Sequence, residues 1–92
     1  MNNANIIPLR NVVKEDDVSL RSQVEHCLSI YFEKLDGDKT ANLFELVMGQ
    51  TEHALLSGVL RYTQGNRSKA AEYLGISRGT LRKKLREHQL DN

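Results

Sequence analysis

Residues 66–88 read NRSKAAEYLGISRGTLRKKLREH, and this pattern predicts two short helices separated by a tight turn. Asn66 can cap the first helix and Ser77 the second, because their side-chain oxygens can accept hydrogen bonds from amides in the first turn of a helix. Gly75 supplies the left-handed conformation that ends the first helix. We therefore expect helices over residues 67–74 and from Arg78 to about His88.

The spacing of small and apolar residues around this turn is typical of a helix-turn-helix. Ala70 and Ala71 are small where two helices must cross closely. The shared core of the two helices is expected to contain Leu74, Ile76, Leu81 and Leu85. We therefore predict that residues 64–92 form a helix-turn-helix unit.

The second helix of this unit has one apolar side and a basic surface. Leu81 and Leu85 lie four residues apart and point inward, and the outer surface carries Arg78, Thr80, Arg82, Lys83 and Arg86. Such a helix suits the major groove of DNA, which is about 12 Å wide and admits one helix. Arg can address a guanine edge with two hydrogen bonds, whereas Lys contacts phosphate as a point charge.

The charge of the chain is divided unevenly along its length. The net charge is only +1, but residues 1–63 carry six Lys or Arg against nine Asp or Glu, and residues 64–92 carry seven against three. Five basic residues and no acidic residue lie between Ile76 and Arg86. Because no acid is interleaved to form helix ion pairs, this run favours an anionic partner over a merely solvated helix face.

A first long helix is predicted from about Val18. Its apolar residues recur at spacings of three and four and form a stripe of Leu20, Val24, Cys27, Leu28, Tyr31 and Leu35. Asp17 or Ser19 can cap its start, and Asp36-Gly37 ends it. Cys27 is the only cysteine, so the chain has no internal disulfide, and we expect this side chain to be buried.

A second long helix is predicted from Asn42 to Tyr62 or Thr63. Asn42 and Glu45 have the spacing of a capping box, and Gly65 follows as the left-handed stop. Apolar residues cover most of the circumference of this helix, so it must be buried on all sides. One chain of 92 residues lacks the elements to cover it. We therefore predict a homodimer whose core is built by the two long helices of residues 19–63.

Residues 1–18 show no helical period. Pro8 interrupts them, and their β-favouring residues indicate a mobile N-terminal arm or a short β-hairpin, with a disordered tail as the equal alternative. No apolar run approaches the length of a membrane span or a signal-peptide core. We therefore expect a cytoplasmic protein with no membrane partner.

The sequence shows no catalytic arrangement. Adjacent residues on a helix point about 100° apart, so His26 and Cys27 cannot pair as base and nucleophile. His53 and His88 are isolated in the sequence and are expected to be surface or boundary residues. We expect no enzyme activity, no metal site and no cofactor.

These segments together resemble the Fis family of nucleoid-associated proteins over roughly residues 20–90. The string RGTLRKKL of residues 78–85 matches the recognition-helix signature of that family. Further matches are Leu20-Arg21, Tyr31-Phe32, Glu45-Leu46-Val47, Tyr62-Thr63, Gly65-Asn66, Ala70-Ala71 and Gly75-Ile76. The resemblance implies an all-α fold with four helices per subunit, in which an intertwined homodimer core carries a C-terminal helix-turn-helix.

The resemblance also implies a function. It implies a homodimer that binds and bends double-stranded DNA at A/T-centred sites, regulates transcription globally in the nucleoid and assists recombination as an enhancer factor. The two recognition helices of such a dimer lie closer together than successive major grooves of straight DNA. Candidate DNA-binding residues are Asn66, Arg67, Ser68, Lys69, Ser77, Arg78, Thr80, Arg82, Lys83 and Lys84. Of these, Arg78 is expected to read a guanine near each end of the site.

Two protein partners follow from the same resemblance. The turn around Gln64-Gly65 is a candidate contact for RNA polymerase, and the N-terminal arm is a candidate contact for a site-specific DNA recombinase. The chain departs from the family pattern in its short arm and at two residues. Ala54 stands where the family commonly has a proline that kinks the second helix, and Ser77 stands where Asn is frequent.

Two other classes of protein share parts of this pattern. A Fis-like helix-turn-helix also ends activators of the NtrC type, which carry an ATPase domain upstream. This chain starts at Met with its own dimerisation helices and has no phosphate loop, so a free-standing protein is favoured. A purely structural or protein-interaction dimer fits the two long helices, but the acid-free basic stretch disfavours it.

Overall fold

The computed structural model describes residues 19–91, and this part of the chain contains four α-helices and no strand. The helices are α1 (Leu20–Leu35), α2 (Leu43–Tyr62), α3 (Arg67–Leu74) and α4 (Arg78–Glu87). The predicted all-α class with four helices is therefore confirmed for these residues. The predicted N-terminal arm, residues 1–18, lies outside the described residues. No helix within residues 19–91 is long and apolar enough to cross a membrane.

α1 begins at a capping box formed by two serines. The Ser19 Oγ accepts a hydrogen bond from the Ser22 amide at 3.1 Å, and the Ser22 Oγ accepts one from the Ser19 amide at 3.0 Å. At the other end Asp36 is left-handed, with φ 52°, and its amide donates to the carbonyl of Phe32 at 3.2 Å. Of the two predicted caps, Asp17 and Ser19, Ser19 is the one that begins α1, and the predicted end at Asp36-Gly37 is confirmed.

No side chain of α1 is fully buried in the single chain. Four members of its apolar stripe are half-buried, namely Val24, Leu28, Tyr31 and Leu35. Cys27 is exposed, so the expectation that it is buried was wrong for the single chain. The physical reason is its position, because Cys27 lies at the edge of the stripe rather than along its centre.

α2 is one helix of 20 residues, and Ala54 lies in its interior. The predicted capping box between Asn42 and Glu45 was wrong. Asn42 is left-handed, with φ 59°, and its side chain makes no capping hydrogen bond. A capping box needs an extended residue at this position, so that the side-chain oxygen can turn back over the first turn of the helix.

The hydrophobic core lies where α2, α3 and α4 meet, and these three helices belong to one compact unit while α1 belongs to another. The buried residues of this core are Leu56, Ala70, Ala71, Leu81 and Leu85. Ala70 and Ala71 are 0% and 3% exposed, which confirms their predicted place at a close helix crossing. Leu74 and Ile76 pack against the cluster, as predicted, and so does Leu60 of α2. The predicted division of function between residues 19–63 and 64–92 stays a prediction.

We expect Leu85→Ala to lower the free energy of unfolding by about 2–5 kcal/mol, because truncation leaves a cavity between tightly packed helices. Leu85 has no exposed surface. Urea denaturation followed by circular dichroism, at one protein concentration, measures the loss. Lys83→Ala changes an exposed residue of the same helix and should alter the free energy by less than about 0.5 kcal/mol. Equal losses for the two variants would contradict this core.

Candidate nucleic-acid interface

The turn between α3 and α4 is built by Gly75, Ile76 and Ser77. Gly75 has φ 74°, and its amide donates to the carbonyl of Ala71 at 2.9 Å. The amide of Ile76 donates to the same carbonyl at 3.1 Å, which turns the chain out of α3. Ser77 then begins α4, since its Oγ accepts a hydrogen bond from the amide of Thr80 at 3.0 Å. The predicted helix-turn-helix is therefore confirmed, including the roles of Gly75 and Ser77.

The connection from α2 to α3 is short and well defined. Gln64 and Gly65 are both left-handed, with φ 56° and 81°, and the Gly65 amide donates to the carbonyl of Leu60 at 2.8 Å. Asn66 follows at once and begins α3, because its Oδ1 accepts a hydrogen bond from the amide of Lys69 at 3.0 Å. The helix-turn-helix is thus attached directly to the end of α2.

Nine of the ten candidate DNA-binding residues are exposed, namely Asn66, Arg67, Ser68, Lys69, Ser77, Arg78, Thr80, Arg82 and Lys83. Two of these residues link the helices across the turn, since the guanidinium Nη1 of Arg78 lies 3.5 Å from the Ser68 Oγ. Beside them, the Ser77 hydroxyl donates to the Thr80 Oγ1 at 2.9 Å. The structure thereby brings candidate residues of α3 and α4 together on one exposed, basic surface.

α4 carries three different surfaces along its length. Leu81 and Leu85 point into the core and are 1% and 0% exposed. Arg78, Arg82 and Arg86 recur every four residues along one flank of the leucine pair, and all three are exposed. We call these three residues the arginine row. The opposite flank carries Lys84 and, directly after the last residue of α4, His88, and both are half-buried.

Lys84 differs from the other candidate residues because it contacts α2. Its Nζ lies 2.7 Å from the Oε2 of Glu52. The other carboxylate oxygen of Glu52, Oε1, lies 2.8 Å from the Nε2 of His88. His53 of α2 packs edge-on against His88, with ring centroids 5.6 Å apart. His53 is exposed and His88 is half-buried, as expected of surface or boundary residues, and the packing of α4 on α2 brings their rings together.

The two contacts to Glu52 change the titration of the ion pair. The hydrogen bond from Lys84, followed by that from His88, holds the pKa of Glu52 below its ordinary value. The hydrogen bond to Glu52 raises the pKa of Lys84. Both groups therefore keep their charges near neutral pH. No group of three or more His, Cys, Asp or Glu side chains among residues 19–91 is arranged to hold a metal ion.

Glu52 was missed in the sequence because 32 positions separate it from Lys84. No local spacing rule connects residues so far apart in the chain. A weaker signal was present in α4 itself. Lys84 and His88 lie next to the inward-pointing leucines, and polar residues at such a boundary usually find a partner on the neighbouring helix.

We expect the stabilisation that Glu52 provides to be present at neutral pH and to be lost in acid. Its pKa is lowered in the folded chain, so its contribution is complete above the unfolded value, near pH 4.5, and disappears as the pH falls through the folded value. The melting temperature of the wild type should exceed that of Glu52→Gln at pH 7, and the gap should close progressively below pH 4.5.

The control for this measurement is Glu45→Gln, which removes the same charge from an exposed position of α2 without removing a bond to α4. A gap between wild type and Glu52→Gln that is as large in acid as at pH 7 would contradict the role of the ionised carboxylate.

Comparisons with known proteins agree with this geometry. Residues 47–88, which run from α2 through α4, match the family described as bacterial regulatory protein, Fis family. The DNA-binding protein Fis of Proteus mirabilis is 39% identical over 92 residues, which cover 97% of this chain and 94% of the relative. The protein of the same name from Actinobacillus succinogenes is 48% identical over 69 residues, which cover 75% of this chain and 70% of the relative. Because its helix-turn-helix matches the family description and the similarity extends over nearly the whole sequence, this chain belongs to the Fis family.

Proposed function

We propose that this protein is a homodimeric DNA-binding and DNA-bending protein of the bacterial nucleoid, which regulates transcription and assists recombination as an enhancer factor. The observation that carries DNA binding is the arginine row, which is exposed along a helix whose leucine side is buried. Similarity to curated DNA-binding proteins Fis supports the same conclusion. The proposal assigns no catalytic step to the chain.

In this proposal α4 is the recognition helix and lies in the major groove. A helix with its side chains is about 10–12 Å across and fits a groove about 12 Å wide. Arg78 lies in the first turn of α4, where recognition helices commonly meet base edges, and is assigned to a guanine. Arg67 and Lys69 at the start of α3 are assigned to phosphates, together with the polar groups of Asn66, Ser68 and Ser77.

We expect Arg78→Ala and Lys69→Ala to weaken DNA binding in different ways. In Arg78→Ala, loss of a guanine contact made by two hydrogen bonds should weaken binding by about 1–3 kcal/mol at one base position and relax the base preference at that position. In Lys69→Ala, loss of a phosphate contact should weaken binding to all DNA sequences similarly and reduce the salt dependence of the affinity. Fluorescence anisotropy with a duplex selected by the wild type and a scrambled duplex, each at several salt concentrations, separates the two. Equal losses of Arg78→Ala on both duplexes would contradict base readout.

The homodimer is supported by apolar side chains that the single chain leaves exposed. Phe44, Met48 and Leu55 lie along one face of α2 and are 77%, 48% and 53% exposed. This face is distinct from the face that enters the core, because Leu55 and Leu56 are adjacent and point about 100° apart. Large apolar side chains exposed along one face of a helix indicate a protein interface. We assign it to a second copy of the chain.

We expect Leu55→Arg to abolish the dimer, because it would place an unpaired charge in a buried interface. Sedimentation equilibrium of the wild type at low micromolar concentration should give twice the mass of the chain, and the variant should give a smaller or unfolded species. Tyr73→Arg, an exposed aromatic of α3, is the matched control and should leave the dimer intact. A folded wild-type monomer at that concentration would contradict the proposal.

DNA bending follows from how the helix-turn-helix is attached. The recognition unit follows α2 through only Thr63, Gln64, Gly65 and Asn66, so it has little reach away from the dimer core. Successive major grooves of straight DNA are about 34 Å apart. If the two recognition helices of the dimer lie closer together than this, DNA must curve toward the protein and its central minor groove must narrow.

We expect duplexes with A/T-rich centres to bind more tightly than duplexes with G/C-rich centres and identical ends. Bending such a site costs about 1–6 kcal/mol, and the cost depends on the sequence that is deformed. A series of duplexes with exchanged centres measures the preference, and circular-permutation electrophoresis measures the bend. Straight DNA in the complex, or an affinity that ignores the central bases, would contradict the bending proposal.

Two further partners belong to this proposal. Gln64 and Gly65 are exposed in the turn that precedes α3, which keeps this turn accessible to RNA polymerase. The recombinase contact is assigned to the N-terminal arm. The alternative role, an output domain of an NtrC-type activator, would use the same recognition helix. The match to the DNA-binding protein Fis of Proteus mirabilis covers 94% of that protein, which supports the role of a nucleoid DNA-binding protein over that of an output domain.

A further inference from the structure

One carboxylate on α2 holds α4 at two points. The Oε2 of Glu52 lies 2.7 Å from the Nζ of Lys84, and its Oε1 lies 2.8 Å from the Nε2 of His88. Lys84 and His88 are four residues apart, so they project one turn apart from the same side of α4. Both oxygens of a single side chain are thus used to connect the two helices.

This double contact gives α4 a directional restraint that the packing of its leucines does not give. Apolar packing of Leu81 and Leu85 fixes how closely α4 approaches its neighbours, but the hydrophobic effect is not directional. Charge-assisted hydrogen bonds are short and directional, so two of them one turn apart restrain rotation of α4 about its own axis. The arginine row lies on the opposite flank of the leucines and must turn with the helix.

We propose that Glu52 is a positioning residue for DNA recognition, because its contacts to Lys84 and His88 fix the rotation of α4 and thereby the direction of the arginine row. This inference rests on the proposed DNA-binding function. Glu52 itself touches no base or phosphate in this account. It acts entirely through α4.

A simpler role for Glu52 leads to the opposite result. If Glu52 only neutralised Lys84, then Glu52→Gln would release a lysine toward the phosphates and strengthen binding to every DNA sequence. If Glu52 positions α4, the same substitution should weaken binding to the preferred sequence. Binding to unrelated DNA depends mainly on charge and should not weaken. The sign of the change on the preferred sequence therefore separates the two roles.

The test compares the full chain and its Glu52→Gln variant on two probes at pH 7. The probes are a duplex selected by the wild type from a random library and a scrambled duplex of the same composition. Circular dichroism first establishes that both proteins are folded. We expect Glu52→Gln to lose about tenfold in affinity for the selected duplex, as for one hydrogen bond to a charged group, and to keep or gain affinity for the scrambled duplex. Glu45→Gln controls for the lost negative charge.

A second pair of variants keeps the test decisive if Glu52→Gln does not fold. His88→Gln retains a donor for the Glu52 carboxylate, whereas His88→Leu retains the bulk without the donor. The preference for the selected duplex over the scrambled duplex should be greater in His88→Gln than in His88→Leu. A loss caused only by packing would affect both variants alike and would overturn the inference.

The outcomes for the inference and for the proposed function are distinct. If the wild type fails to bind either duplex, the proposed function is wrong. If the wild type discriminates between the duplexes and Glu52→Gln discriminates equally well, or binds the selected duplex more tightly, the positioning role is wrong and DNA binding stands.

Discussion

The packing of the helix-turn-helix on α2 depends on the buried cluster that contains Leu56, Leu81 and Leu85. These are the largest fully buried side chains among the described residues, and they join α2 to α4. Ala70 and Ala71 let α3 approach the same cluster closely, because a larger side chain at either position would hold the helices apart. With Leu81 and Leu85 packed into the core, the arginine row and Lys83 are left exposed on α4. The core thus leaves a basic surface of α4 open to a partner.

The core is small, and this constrains how the chain reaches stability. The five residues that are buried within residues 19–91 bring only a modest gain from hydrophobic burial, and domains of this size are marginally stable. α2 contributes Leu56 to the core and leaves Phe44, Met48 and Leu55 exposed on another face. One helix thus serves two purposes in our proposal, since it supports the recognition unit and joins the two subunits.

Charges are separated on α4 in a way that gives each flank its own role. The arginine row is exposed and available to an anionic partner, whereas Lys84 is directed to Glu52. Of the ten residues first assigned to DNA, Lys84 is the one that forms an ion pair with another residue in the part of the chain that the structure describes. It can still approach a phosphate, but its position is set by α2. The assignment of individual DNA contacts stays a prediction for all ten residues.

The sequence by itself determined the helices and their boundaries wherever short-range chemistry decides them. Ser19, Asn66 and Ser77 cap helices as predicted, and Gly75 is left-handed, because each acts on amides or carbonyls within a few residues. It also separated the buried from the basic side of α4, since a period of 3.6 residues fixes which side chains share a face. Only the tertiary structure decided the left-handed Asn42, the exposure of Cys27 and the meeting of Glu52 with Lys84 and His88. Such features depend on how the chain enters a helix and on which helices pack together, and residues more than 30 positions apart meet only after the core has formed.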